Sequence, residues 1–345
     1  MKNYDDFIID QFTWSFSRIN SYGSGCKKEW HEKYILCEPT EDSFDGQFGS
    51  FCHHILESYF KGEMGIWDLA DYYEAHYHEA VTLPCPYPNG DTKYEKGLEY
   101  FQNFSFDHDK YEVLGVEKPV RFDIKNEFFC VGYIDLLLRE KSSGMIILCD
   151  HKSSTIKKLK NGNISKSDQE HWKAFQRQQL LYSAAVLEEY GRVDKLMWNM
   201  FKDGTFLEMD WSEAAMNEAL DWAYDTIVSI KNTPEYPPTP SWYYCCNLCG
   251  RRNNYCPYKR LGLIYEGIYS KCYNPKAKGY FEYGGLGIGM AEEWKDDNQK
   301  FFKWALDNSG YGDGLILKRY NEEGDFTPDN CYWDERPIEE EYYGE

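Results

Sequence analysis

The chain has 345 residues, a formal net charge of −20, 42% hydrophobic and 18% aromatic residues. That length suggests two domains on the rough prior of ~150 residues each, with apolar residues enough for a sizeable core. The charge excludes a protein that coats DNA through a uniformly basic surface, and no stretch approaches the ~18 apolar residues of a membrane span. The opening MKNYDDFIIDQF has no basic n-region and no long apolar run, so no signal peptide is expected. The twelve cysteines are therefore read as reduced thiols of a cytoplasmic protein.

In chain order, helices are expected at 15–36, 44–62, 66–80 and 92–104, then strands at 112–122, 128–139 and 145–151. A long helix at 166–190 follows, then strands at 195–201 and 205–210 and a helix at 211–231, with Ser212 as a cap before Glu213. NTPEYPPTPSW breaks this pattern as a Pro-rich linker into a cysteine cluster. The order predicts an α/β (α+β) fold that opens with helices.

Within it, FFCVGYIDLLL and MIILC read as buried strands joined by a turn at Lys141–Gly144. If the hairpin turns about Ser142–Ser143, Asp135 and Asp150 become cross-strand neighbours, with Cβ atoms roughly 4.5–5.5 Å apart. Lys152, two residues past Asp150, points from the same sheet face. Two adjacent carboxylates repel unless a cation joins them, and Mg²⁺ or Mn²⁺ suits both. Such an ion can lower the pKa of a water and neutralise charge on a phosphate, while the ammonium orients the water or holds the phosphate. Strand-end charges with no such role would show the same residues.

Two helices carry further polar pairs. His53 and Glu57 stand at i and i+4 on 44–62, and Gln178 and Tyr182 at i and i+4 on 166–190. His54 falls on a different face from His53. Cys246-x2-Cys249-x6-Cys256 has metal-ligand spacing but only three well-placed thiolates.

Together the motifs resemble the PD-(D/E)XK nuclease superfamily, and more narrowly its RecB/AddB-like iron–sulfur nucleases and the CRISPR-associated RecB-like exonucleases. GYID and LCDHKSS match the two motif strands, GSFCHHILE matches GxxxHxxlE, and QRQQLLY matches the Q-x-x-x-Y helix. The resemblance covers roughly residues 10–260 and implies a restriction-endonuclease-like core, a mixed central sheet flanked by helices with an N-terminal helical elaboration, and Asp135, Asp150 and His53 as ligands of Mg²⁺ or Mn²⁺. It implies Lys152 as the assisting cation and Gln178 and Tyr182 as groups that orient the site or contact DNA. Glu117 matches an acidic residue frequent in these families and carries low weight as a ligand. The resemblance also places a fourth thiolate after an S-x-S-x-l-x-x-y helix, here at Cys26. It thus implies a 4Fe–4S cluster on Cys26, Cys246, Cys249 and Cys256, with structural Zn²⁺ as the alternative metal. Cys245 and Cys37 are alternative ligands for Cys246 and Cys26.

The expected function is a metal-dependent DNA exonuclease of recombination, repair or phage DNA processing, in the host cytoplasm if phage-encoded. Its expected substrate is single-stranded DNA or DNA ends, with no membrane and with a helicase, recombinase or CRISPR protein as candidate partner. A catalytically silent DNA- or partner-binding relative is the alternative, and RNA as substrate stays open. HKSSTIKKLKNGNISK and GRRNNYCPYKR offer local positive charge for phosphates. The nuclease domain is expected to span 1–262. Residues 263–345 resemble a small phage-associated module, through Gly284, Gly285, Gly287, Trp294, Trp304, Arg319, Gly324, Pro328, Asn330, Cys331 and Trp333, and end in an acidic tail. No histidine follows His171, so an HNH-type second nuclease is not expected there.

Overall fold

A computed structural model describes residues 4–86, 91–159, 162–202, 204–233, 235–238, 249–251, 256–307, 309–312 and 314–335. They form two units, Met1–Tyr236 and Pro237–Glu345.

The first unit begins with α1 (Tyr4–Ile9), the short β1 (Trp14–Ser15), α2 (Phe16–Ser24) and α3 (Lys27–Tyr34). The single helix expected at 15–36 is thus two. Gly25 ends α2 in an extended conformation and Cys26 is the N-cap of α3. Next come α4 (Phe44–Phe60), α5 (Leu69–Ala80) and α6 (Asp91–Gln102), which share an aromatic core built on Phe48, Phe51, Tyr73 and Phe101. Ser43 opens α4 by accepting a hydrogen bond from Gly46 N.

The sheet follows in β2 (Tyr111–Ile124), β3 (Phe128–Glu140) and β4 (Ile146–Lys152). It is completed by α7 (Gln169–Tyr190), β5 (Lys195–Met200), β6 (Thr205–Asp210) and α8 (Glu213–Asn232), which Ser212 caps as expected. Six strands make one mixed sheet in the order β1-β3-β4-β5-β6, with β2 on the other edge of β3. β3 and β4 pair in the anticipated register, Leu136 with Cys149 and Leu137 with Leu148. β4 runs parallel to β5 and buries every residue from Ile146 to His151, as expected of a central strand covered on both faces.

One detail of this sheet makes the site. β4 pairs β3 only up to Leu136, while β1 pairs it at Cys130 and Val131. Between those contacts β3 has no partner on that side among the described residues, so the sheet forks at Gly132–Asp135. Inward-facing parity changes at the same level. On β3, Cys130 and Ile134 join the core that includes α7, but Leu136 and Leu138 join a layer with Phe60 and Phe106. On β2, Val120 and Phe122 belong to the first core and Val116 to the second. The residue at the change on β2 is Glu117, with φ of +45°, a left-handed conformation that costs a side-chain-bearing residue on the order of 1–3 kcal/mol.

Gly132 lets the long helix close on the fork. A Cβ built there would lie 2.4 Å from Tyr182 Cζ and 2.5 Å from its hydroxyl oxygen. Gly132→Ala is expected to destabilise the protein by about 1–3 kcal/mol, the usual overpacking cost. Combining it with Tyr182→Ala should restore part of the loss in a urea melt. Independent, additive effects of the two substitutions would contradict this packing.

The second unit contains α9 (Pro257–Tyr273), α10 (Glu292–Asp296), α11 (Asn298–Asp307) and a hairpin of β7 (Ile316–Arg319) and β8 (Cys331–Asp334). α9 runs across the boundary expected at 262/263. Several of the residues singled out within 263–345 have packing roles here. Trp294 is buried among Phe301 and Trp304, and the Arg319 guanidinium lies over Phe326 and Tyr283. Asn330 Nδ2 donates to the carbonyls of Asn321 and Asp325, closing the loop before β8. Gly284 is required because a Cβ would meet the Cys272 carbonyl oxygen at 2.0 Å.

Candidate metal centre at the sheet fork

Four elements bring their side chains to the fork. α4 supplies His53, β2 Glu117, β3 Asp135, and β4 Asp150 and Lys152. One ligand atom each from His53, Glu117 and Asp135 lies within 4.8 Å of the others. Glu117 stands between the pairs Val116–Leu136 and Lys118–Ile134, level with Asp135 across the two strands. Burial raises the Glu117 pKa above the ordinary carboxylate value, and the charge of Asp135 raises it further.

The tautomer of His53 supports a cation between these groups. Its Nε2 lies 2.9 Å from the carbonyl oxygen of His151, which can only accept, so Nε2 carries the proton. That leaves Nδ1 turned toward Asp135 Oδ2 at 3.5 Å, with the Glu117 carboxylate nearby, so it is the ring nitrogen placed to join the carboxylates on a divalent cation. Asp135 Oδ2 also accepts from the backbone N–H of His151 at 2.7 Å, which fixes its aim. The residues thus fit a hard divalent ion with mixed N and O donors.

Asp150 neighbours Asp135 and His53, outside the three residues whose ligand atoms lie within 4.8 Å of one another. Its carboxylate is buried, with Oδ2 2.7 Å from Lys152 Nζ. Burial pushes its pKa up to about 6, with Lys152 pulling it down and Asp135 pushing it up. Lys152 Nζ donates to Gln178 Oε1 at 2.9 Å and lies over the Phe175 ring. Gln178 therefore positions the ammonium, and Tyr182, one turn on, packs against Gly132. His54 is turned toward Tyr72.

Two features were not legible from the motifs. Glu117 joins the donor set despite its low weight in the sequence, because strand register and a left-handed kink aim it there. His151 acts through both backbone groups, while its buried ring accepts from Asn199 Nδ2 at 3.0 Å and stacks on Phe60. Burial lowers the ring pKa to about 4, so it stays neutral. The same Asn199 amide donates to the Tyr100 hydroxyl at 2.6 Å.

The strain at Glu117 and its role as a donor oppose each other. Glu117→Gly is expected to raise metal-free stability by about 1 kcal/mol, through relief of the left-handed conformation and of carboxylate repulsion, while weakening Mn²⁺ binding. Unchanged Mn²⁺ affinity in a calorimetric titration would remove Glu117 from the donor set.

Of the cysteine set, Cys246 lies outside the described residues, as does its alternative Cys245. Cys26 belongs to the first unit, Cys249 and Cys256 to the second. None of the ten described cysteines is in a disulfide. No helix among the described residues is long and apolar enough to cross a membrane.

A mixed α/β sheet with helices on both faces, forked at a His/Glu/Asp donor set, is the architecture of a candidate metal-dependent hydrolase. The family model of the PD-(D/E)XK nuclease superfamily matches residues 13–261, and the chain belongs to that superfamily. It is thus a phosphodiester hydrolase by family. No curated protein matches the sequence. Among solved structures, the chain is similar to one described as a putative exonuclease from Eubacterium rectale. Identity is 15% and the TM-score 0.38, covering 74% of this chain and 95% of that one.

Proposed function

We propose that the protein is a Mg²⁺- or Mn²⁺-dependent DNA exonuclease acting in recombination, repair or phage DNA processing. The observation that carries this reading is the convergence of His53, Glu117 and Asp135 at the fork, next to the Asp150–Lys152–Gln178 chain. The divalent ion, when bound, supplies Lewis-acid neutralisation of the charge that develops on a scissile phosphate. Asp135, held by the His151 N–H, and His53, held through Nε2, present fixed donors to it. Lys152, steadied by Gln178, sets a second positive charge where a phosphate oxygen or an incoming water is held. Ionised Asp150 keeps the ammonium in place and is the further carboxylate that would hold the ion beside Asp135.

Fluorescently labelled DNA incubated with Mn²⁺ tests the reading. Wild type is expected to degrade it, and Asp150→Ala to lose that activity. Equal degradation by both proteins would exclude this site. Because Asp150 must be ionised, activity is expected to rise with pH as it loses its proton, at or below the value of about 6 to which burial raises it in the metal-free protein.

The cysteine set extends the proposal to a 4Fe–4S cluster on Cys26, Cys246, Cys249 and Cys256. Its support is the resemblance to the iron–sulfur nucleases, with the Cys246-x2-Cys249-x6-Cys256 spacing supplying three of the thiolates. Anaerobically purified protein is expected to be coloured and to contain iron and acid-labile sulfide. A colourless protein with stoichiometric zinc would replace the cluster by a structural Zn²⁺ site.

A further inference from the structure

We propose that the open face of the β2–β3 ribbon is a stacking platform that leads single-stranded DNA to the fork; this rests on the nuclease reading above. One side of the ribbon is closed, since Val120, Phe122, Ile124, Cys130 and Ile134 all enter the core beneath α7 and α8. The opposite side is closed only over its proximal half, where Leu136, Leu138 and Val116 meet Phe60 and Phe106. Past Glu117 and Asp135 this second side is open among the described residues. There β3 carries Phe129, 49% exposed, and Tyr133, 61% exposed.

The placement relative to the metal centre argues for a substrate strand. Tyr133 precedes Asp135 by two residues, about 7 Å along a strand, and Phe129 lies about 13 Å further out. The two rings therefore form a row that ends at the donor set. On β2, the Arg121 guanidinium carbon lies 4.2 Å from the Phe129 ring centroid. A guanidinium stacked on a ring keeps its in-plane N–H donors pointing outward, the geometry that phosphate oxygens accept. Asp123, also exposed, pairs with Phe129 across the strands, so rings rather than net positive charge carry the binding here.

That chemistry selects the occupant. Exposed aromatic faces bind unpaired bases, which duplex DNA keeps stacked inside. Stacking is also insensitive to net charge, which reconciles DNA binding with a chain at −20. It further implies a shallow salt dependence, about −0.7 in log–log slope for each phosphate neutralised on a single strand.

The test is fluorescence anisotropy of the full-length protein with labelled oligothymidine, with Ca²⁺ replacing Mn²⁺ to prevent turnover. Tyr133→Ala combined with Phe129→Ala is expected to weaken binding by at least ~30-fold, since each stacked base contributes about 5- to 150-fold. Trp67→Ala, at a 91% exposed ring on another element, should leave it unchanged. Both variants should melt cooperatively near the wild-type temperature. Binding by the double variant within twofold of wild type would overturn the platform, as would tighter binding of duplex than of single strand. Hydrolysis of bis-p-nitrophenyl phosphate by the wild type in Mn²⁺ tests the nuclease reading separately. A wild type inert toward it, yet dependent on both rings for binding, would retain the platform and reject the nuclease.

Discussion

Lys152→Ala is expected to reduce DNA cleavage by about 10²–10³-fold, the usual effect of removing one electrostatic stabiliser from a reaction centre. It also has a stability signature that a surface lysine would lack. Lys152 Nζ is 2.7 Å from Asp150 Oδ2, and the Asp150 side chain is only 7% exposed. Removing the ammonium leaves a buried carboxylate uncompensated, which costs about 3–5 kcal/mol while it stays ionised. Protonation offers an escape. The folded-state pKa of Asp150 is already raised to about 6, so folding favours its protonated form. Its contribution to metal-free stability is full below the unfolded value near 4 and is lost as pH rises through the folded value. Without Lys152 the folded value rises further and the loss extends to higher pH. The stability gap between wild type and Lys152→Ala should thus be small at pH 5 and large at pH 8 in urea melts. A gap independent of pH would contradict the Asp150–Lys152 pairing.

Asp135→Asn should have a comparable effect on activity with little effect on folding. The asparagine carbonyl still accepts from the His151 N–H, so the turn of chain at the fork survives. The charge that balances a divalent ion is gone, and Mn²⁺ affinity is expected to fall by at least about 100-fold. Cleavage should fall by on the order of 10³-fold even in excess metal. Isothermal titration with Mn²⁺ and a single-turnover assay measure the two effects. Wild-type affinity in Asp135→Asn would place the ion elsewhere.

The sheet hairpin was legible because its pattern was strong. A two-sided apolar run, a four-residue turn and a second apolar run leave one register, and the strands keep it as far as Leu136–Cys149, one pair short of Asp135 and Asp150. The helices were legible from periodicity and from Ser212, although Gly25 and Cys26 split the first long one. Glu117 was not legible as a donor. Its side chain reaches the site through a left-handed residue and a change of parity within β2, and period-2 reasoning assumes that neither occurs. His151 left no signal either, since it works through backbone groups whose partners are fixed only when α4 packs on β4. The fork itself depends on β1, a strand of two residues, far below what sequence patterning can detect. Family resemblance supplied His53 and Gln178, and the fold gave each a physical partner, His151 O and Lys152 Nζ.

The most direct test of the central claim is a crystal structure of the protein soaked in MnCl₂, with anomalous data to locate the ion. The account predicts an anomalous peak at the sheet fork, ligated by His53 Nδ1, Glu117 and Asp135 at about 2.0–2.2 Å. A fork without anomalous density at millimolar Mn²⁺, with His53 Nδ1 still facing Asp135, would contradict it.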